Sequence, residues 1–184
     1  MEKRELKEIT LKSGETLILR EPDAEDAEAI IEYLNIIGGE TDNLLFGRGE
    51  LNLTVEQEAE YIKKVRNDPN RLMILGIING QIVAIAQISC LHGRRVWHNS
   101  ELAISVRKAF WRKGIGSTLM QELIFFAKNH KLIRNISLGV RASNHTAISL
   151  YEKFGFVKTG VHKNYFCING EYDDEYIMDL YLEK

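Results

Sequence analysis

A strand-like run, Glu101 to Val106, passes through Arg107-Lys108-Ala109-Phe110-Trp111-Arg112-Lys113 into Gly114-Ile115-Gly116-Ser117. A helix-like run, Ser117 to His130, follows directly. This order ties a strand to a helix through a short glycine loop, so the two must pack as neighbouring layers. Such a loop serves one of two ends. It is a tight turn, or it is a phosphate cradle. In the second case the glycines let the backbone come close to a ligand, and the free N–H groups of the helix's first turn donate to phosphate oxygens. Arg112 and Lys113 add positive charge at the same point.

The rest of the chain supplies the other layers. Leu6 to Arg20 reads as one strand, or as two about Ser13-Gly14-Glu15. Pro22-Asp23-Ala24-Glu25-Asp26 opens a helix to about Ile36, with acidic residues suited to its positive end. A polar, glycine-rich loop covers Gly38 to Leu53. Thr54 with Gln57 forms a capping box for a helix to about Asn67. Leu72–Ile78 and Gln81–Leu91 form a hairpin about Asn79-Gly80, and Val96 to Val106 is its third strand. After the glycine loop and its helix come a strand, Asn135 to Arg141, and a helix from about Asn144 to Phe154. A terminal hairpin, Phe156–Cys167 with Glu171–Leu182, turns at Asn169-Gly170. The expected class is α+β, a mixed, mostly antiparallel sheet with helices on both faces.

Composition narrows the partners. With 184 residues, 45% hydrophobic and 27% charged, and only Pro22 and Pro69, nothing divides the chain, and one domain over 1–184 is expected. A net charge of −2 argues against broad nucleic-acid binding. Cys90 and Cys167 read as buried small hydrophobes, not as a disulfide or metal site. His92, His130, His145 and His162 lack metal-ligand spacing and read as surface or helix-end residues. The charged start, Met1 to Glu5, has no apolar signal core, and no apolar run is long enough to span a membrane, so a cytoplasmic location is expected.

The second motif is Arg141-Ala142-Ser143-Asn144-His145-Thr146-Ala147-Ile148-Ser149-Leu150-Tyr151-Glu152-Lys153-Phe154-Gly155-Phe156. With the glycine loop it resembles the GCN5-related N-acetyltransferase family over nearly the whole chain, most strongly from His98 to Phe156. The family's loop is Gln/Arg-x-x-Gly-x-Gly/Ala. Here Trp111 holds the Gln/Arg position, and Arg112 replaces a frequent glycine.

The resemblance implies an acetyl-CoA-dependent N-acetyltransferase using no metal, its acyl donor in a V-shaped cleft between the Glu101–Val106 and Asn135–Arg141 strands. It implies a bulge that parts those strands, leaving backbone groups around Ile104, Ser105 and Val106 for the pantetheine arm and acetyl carbonyl. The segment Arg112, Lys113, Gly114, Ile115, Gly116 and Ser117 would hold the pyrophosphate. Asn144 is an N-cap that can also contact the cofactor. Tyr151 either packs beside Leu150 and Phe154 or, as the resemblance implies, protonates the departing thiolate and contacts the donor. Glu101 is the first candidate base, with a solvent-facing strand carboxylate as the plain alternative, and His98 is second.

The acceptor that the resemblance implies is an amine on a small molecule or peptide. Gly38 to Gly47 mixes carboxylates and apolar residues as an ammonium site with an apolar tail would, or is a solvated loop. The acidic run Glu171-Tyr172-Asp173-Asp174-Glu175 could face the same cleft. A non-catalytic acyl-CoA-binding sensor or interaction module is the alternative function. A homodimer is a possible assembly, from family analogy and from the apolar, aromatic load of the final strand, read as an edge.

Overall fold

The computed structural model describes residues 5–183. Its strands are β1 (Glu5–Thr10), β2 (Thr16–Arg20), β3 (Arg71–Ile78), β4 (Gln81–Cys90), β5 (Asn99–Val106), β6 (Asn135–Arg141), β7 (Val157–Ile168) and β8 (Glu171–Tyr181). Its helices are α1 (Ala27–Glu40), α2 (Val55–Asn67), α3 (Ile115–Asn129) and α4 (His145–Lys153). All the strands join one sheet in the order β1-β2-β3-β4-β5-β6-β8-β7. Among the described residues only the β5–β6 pair is parallel. The expected α+β class with helices on both faces is what forms.

Local signals account for much of this. Thr54 Oγ1 accepts the Gln57 N–H at 3.2 Å, and Gln57 Oε1 accepts the Thr54 N–H at 3.0 Å, completing the capping box that starts α2. Asn79 and Gly80 take φ of 51° and 77°, the left-handed pair that a two-residue hairpin turn needs. Alternation along the strands then feeds two cores. Leu102, Ile136, Leu138, Val140 and Met178 pack with Leu119, Met120 and Leu123 of α3. On the other face Met73, Leu75 and Ile85 pack with Ile30, Tyr33 and Ile37 of α1 and Ile62 of α2.

Five expectations change. Helix α1 runs on to Glu40, through Gly38 and Gly39, because the chain at Gly47 packs against it. A Cβ at Gly38 would lie 2.8 Å from the Gly47 carbonyl carbon, so a helical glycine is required there. Leu44 and Phe46, within the segment read as an acceptor site or a solvated loop, are not fully solvated but pack against the α1/α2 core. The third meander strand begins at Asn99, not Val96, after a turn in which Val96 and Trp97 donate to the Gly93 carbonyl. Cys167 is exposed on the edge strand β7, while Cys90 is buried. Finally, β8 is not an edge. It lies between β6 and β7, and its Met178 is buried in the core. Its apolar load is used within its own sheet, which removes the argument for pairing through that strand.

Candidate functional site

The parallel pair β5–β6 is short. Its register covers only Asn99↔Asn135, Ser100↔Ile136 and Glu101↔Ser137. Beyond Glu101 the two strands part, and each holds to its other neighbour, β5 to β4 and β6 to β8. No bulge causes this. The β4–β5 ladder is continuous from Ala84↔Val106 to Cys90↔Ser100. The strands diverge because β5 and β6 each follow the twist of a different partner.

An unbroken ladder assigns every residue of β5 a side. The Arg107 N–H donates to Val83, and the Asn99 carbonyl accepts from Leu91, so odd-numbered residues bond to β4. The main-chain groups of Leu102, Ile104 and Val106 therefore point into the split. Two of these groups are already used, the Leu102 N–H in the Glu101↔Ser137 pairing and the Val106 carbonyl by the Trp111 indole N–H, which donates to it at 2.6 Å. Ser105 differs from the expectation. Its backbone faces β4, opposite Ile85, and its hydroxyl bonds the Tyr33 hydroxyl at 2.9 Å. Burial of Tyr33 between α1 and the sheet pushes its phenol well above the ordinary tyrosine range.

At the open end of the split stands the start of α3. Gly114 is its N-cap, at φ 88°, with no side-chain cap and no acidic residue in the first turn. The Thr118 N–H already bonds to the Gly114 carbonyl. The N–H groups of Ile115, Gly116 and Ser117 are left without helical partners, as at any helix start. This suits the pyrophosphate of an acyl-CoA, which needs close, uncrowded donors and positive potential. The two basic side chains here part company. Arg112 is exposed and has φ 63°. Lys113 is committed to Glu15 at 2.6 Å and sits 4.9 Å over the Phe110 ring, so its charge is largely matched within the protein.

Helix α4 lies beside α3 on the same face, its Leu150 Cδ2 only 3.3 Å from where a Cβ on Gly116 would sit. Asn144 caps α4, its Oδ1 accepting the Ala147 N–H at 3.2 Å, and its amide NH₂ has no hydrogen-bond partner among the described residues. Tyr151 is 8% exposed, with its ring 5.9 Å from that of Phe156. Burial raises its phenol to about 12. Its hydroxyl makes no hydrogen bond with a described residue, yet it is not among the fully enclosed, unpartnered polar atoms. Tyr151 thus has a packed ring and an open hydroxyl.

On the opposite face, Glu101 is exposed at the apex of the split, on the side of Ala103 and Ser105. His98 precedes the paired segment, and its carbonyl accepts the N–H groups of Arg134 and Asn135. It therefore lies on the closed side of the apex. The acidic residues around the split are mostly matched. Glu40 accepts from Arg107 and from the Lys108 N–H at 2.8 Å, pinning α1 to the end of β5. Asp173 takes Arg141 at 2.7 Å and Ser143 at 2.6 Å, and Asp174 takes Lys163 at 2.6 Å. Glu175 is the exception, a buried carboxylate whose one partner among the described residues is His162 Nδ1, at 2.9 Å. Sequence reasoning set His162 aside. Only its cross-strand register with Glu175 brings it in.

The sequence pattern of the Acetyltransferase (GNAT) family matches residues 42–156. The chain is 31% identical over 116 residues to the L-amino acid N-acetyltransferase AaaT of Escherichia coli (strain K12), covering 63% of this chain and 72% of that one. Its fold superposes on the acetyltransferase of GNAT family from Streptococcus pneumoniae with a TM-score of 0.87 and 31% identity, over 90% of this chain and 99% of the other. It also superposes on yncA from Salmonella typhimurium, whose structure holds its cofactor acetyl-CoA. There the TM-score is 0.79 at 20% identity, over 91% and 95% of the two chains, a likeness of fold.

Proposed function

Because this chain belongs to the Acetyltransferase (GNAT) family and is an N-acetyltransferase, we propose that it moves the acetyl group of acetyl-CoA directly to the primary amine of a small molecule or peptide. The observation that carries this reading is the unbulged β5–β6 split. It leaves the Leu102 carbonyl and the main-chain groups of Ile104 unpaired with a neighbouring strand, between the α3 start on one face and Glu101 on the other.

Bound acetyl-CoA supplies an activated thioester, so the protein has to position two reactants and handle protons. The N–H groups of Ile115, Gly116 and Ser117 hold the pyrophosphate. The main chain at Leu102 and Ile104 orients the pantetheine arm and polarises the acetyl carbonyl. Tyr151 retains its proton at neutral pH and donates it to the departing sulfur. Glu101 takes the proton that the acceptor ammonium must lose before it attacks. The E. coli relative acts on L-amino acids, and amino acids are the first acceptors to try.

The test is a screen of L-amino acids, amino-acid amides, polyamines and short peptides with acetyl-CoA, read by release of free thiol. At least one class should release thiol well above the amine-free rate. CoA binding without release from any amine would replace this reading with that of a non-catalytic acyl-CoA-binding module.

A further inference from the structure

Glu175 is 7% exposed on β8, on the face away from Tyr176, Met178 and Leu180, which pack with the α3/α4 core. It therefore faces the α1/α2 side, across the sheet from the uncapped start of α3 and from Tyr151. Its register partner on β6 is Arg141, the cation best placed to neutralise it. Arg141 is turned elsewhere, its Nε to Asp173 at 2.7 Å and an NH₂ group to the Asp42 carbonyl at 3.3 Å. One oxygen of Glu175, Oε2, meets His162. The other, Oε1, has no hydrogen-bond partner among the described residues and is not sealed from solvent.

That free oxygen has a definite location. It lies over Gly139 of β6, in the space a Cβ would take, so any side chain at 139 would collide with it. Gly139 is two residues beyond Ser137, where β5–β6 pairing ends, and is itself exposed. The carboxylate thus borders the split. A carboxylate withdrawn from water without a full partner is costly, and a cation that can donate hydrogen bonds removes that cost.

We propose that Glu175 is the acceptor-binding carboxylate, receiving the ammonium of the incoming amine through Oε1, while His162 holds Oε2 and fixes the carboxylate over Gly139. This deepens the acetyltransferase reading and rests on it. It also resolves the acidic run at Glu171–Glu175. Asp173 and Asp174 are occupied by Arg141 and Lys163, and Glu171 is exposed, leaving Glu175 as the enclosed residue of the run with a free oxygen.

The probe is L-leucinamide, a primary ammonium on an apolar side chain, titrated calorimetrically into the protein with and without CoA. Glu175→Gln keeps the shape and removes the charge. Gly139→Ala keeps the charge and displaces the carboxylate. Each should weaken leucinamide binding by about tenfold or more, as loss of a charged hydrogen bond does, with CoA affinity unchanged. For the amine that releases thiol fastest, KM should rise in both variants while the KM for acetyl-CoA stays. Failure of the wild type to bind leucinamide, or variants that lose only thermal stability, would overturn the assignment. Loss of the acetyltransferase reading would register separately, as absent CoA binding or absent thiol release in the wild type.

Discussion

The Trp111 indole N–H donates to the Val106 carbonyl at 2.6 Å, closing the loop between β5 and α3 back onto the strand it leaves. Trp111 occupies the position where the family pattern has Gln or Arg. The bond takes one carbonyl out of the split and sets the path of the next two residues. The following residue, Arg112, is forced to φ 63°, a conformation that suits glycine and strains a side chain. The family's frequent glycine at this position therefore has a backbone reason.

Arg112→Gly should relieve that strain. The gain is about 1 kcal/mol, less what the more flexible unfolded chain gives back. For a chain of this size a full 1 kcal/mol raises Tm by about 2–4 °C, so a smaller rise is expected in a thermal melt. A lower Tm would show that the Arg112 side chain makes up for its backbone. Calorimetry on the same variant reads what its charge adds to CoA affinity.

Gly114 has φ 88°, and a Cβ there would meet open space. Backbone strain and ligand repulsion can therefore be separated. Asn tolerates the left-handed region, and Asp of nearly the same shape adds a negative charge. Gly114→Asn should fold and bind CoA with modest loss. Gly114→Asp should fold equally well and bind far more weakly, since its charge faces the phosphates at the helix start. Equal affinities in the two variants would remove the pyrophosphate from this position.

Tyr151→Phe keeps the packed ring and deletes only the hydroxyl. As the acid for the departing sulfur, it should carry a 10²–10⁴-fold share of kcat. A second readout comes from linkage. Between the ordinary tyrosine pKa near 10 and the buried value of about 12, the unfolded chain ionises Tyr151 and the folded chain does not. The unfolded state then binds fewer protons, so stability falls as pH rises through that window. Denaturant titrations should show wild type losing about 2–3 kcal/mol more than Tyr151→Phe between pH 9 and 12.

Glu58, on α2, is 5% exposed, and burial raises its carboxyl above the ordinary glutamate range. With the folded pKa above the unfolded one, its contribution is intact at low pH and is lost as pH rises through the unfolded value. Glu58→Gln should therefore be more stable than wild type at pH 7 and no more stable below about pH 4, where both states hold the proton. Parallel melts at the two pH values decide this.

Features written within a few residues of chain could be read directly. The capping box at Thr54 and Gln57, the Asn-Gly turns, the glycine loop at Gly114 and the Asn144 cap each depend on contacts between near neighbours, and each forms where the residues imply. Helix ends that depend on distant packing were less legible. Nothing near Gly38 and Gly39 signals that Gly47 will lie against them and carry α1 on to Glu40.

By itself the sequence determined the element order, the two hairpins and the strand–glycine loop–helix, because short-range periodicity and turn chemistry act before any long-range contact exists. Tertiary structure decided three things. Strand β8 entered between β6 and β7, which made an apparent edge internal. The split between β5 and β6 opened without a bulge, because each strand follows the twist of its other neighbour. And Arg141 chose Asp173 over Glu175, its partner in register, leaving one carboxylate open beside the split. Each of these outcomes is a competition between partners distant in sequence, settled only once the sheet has assembled.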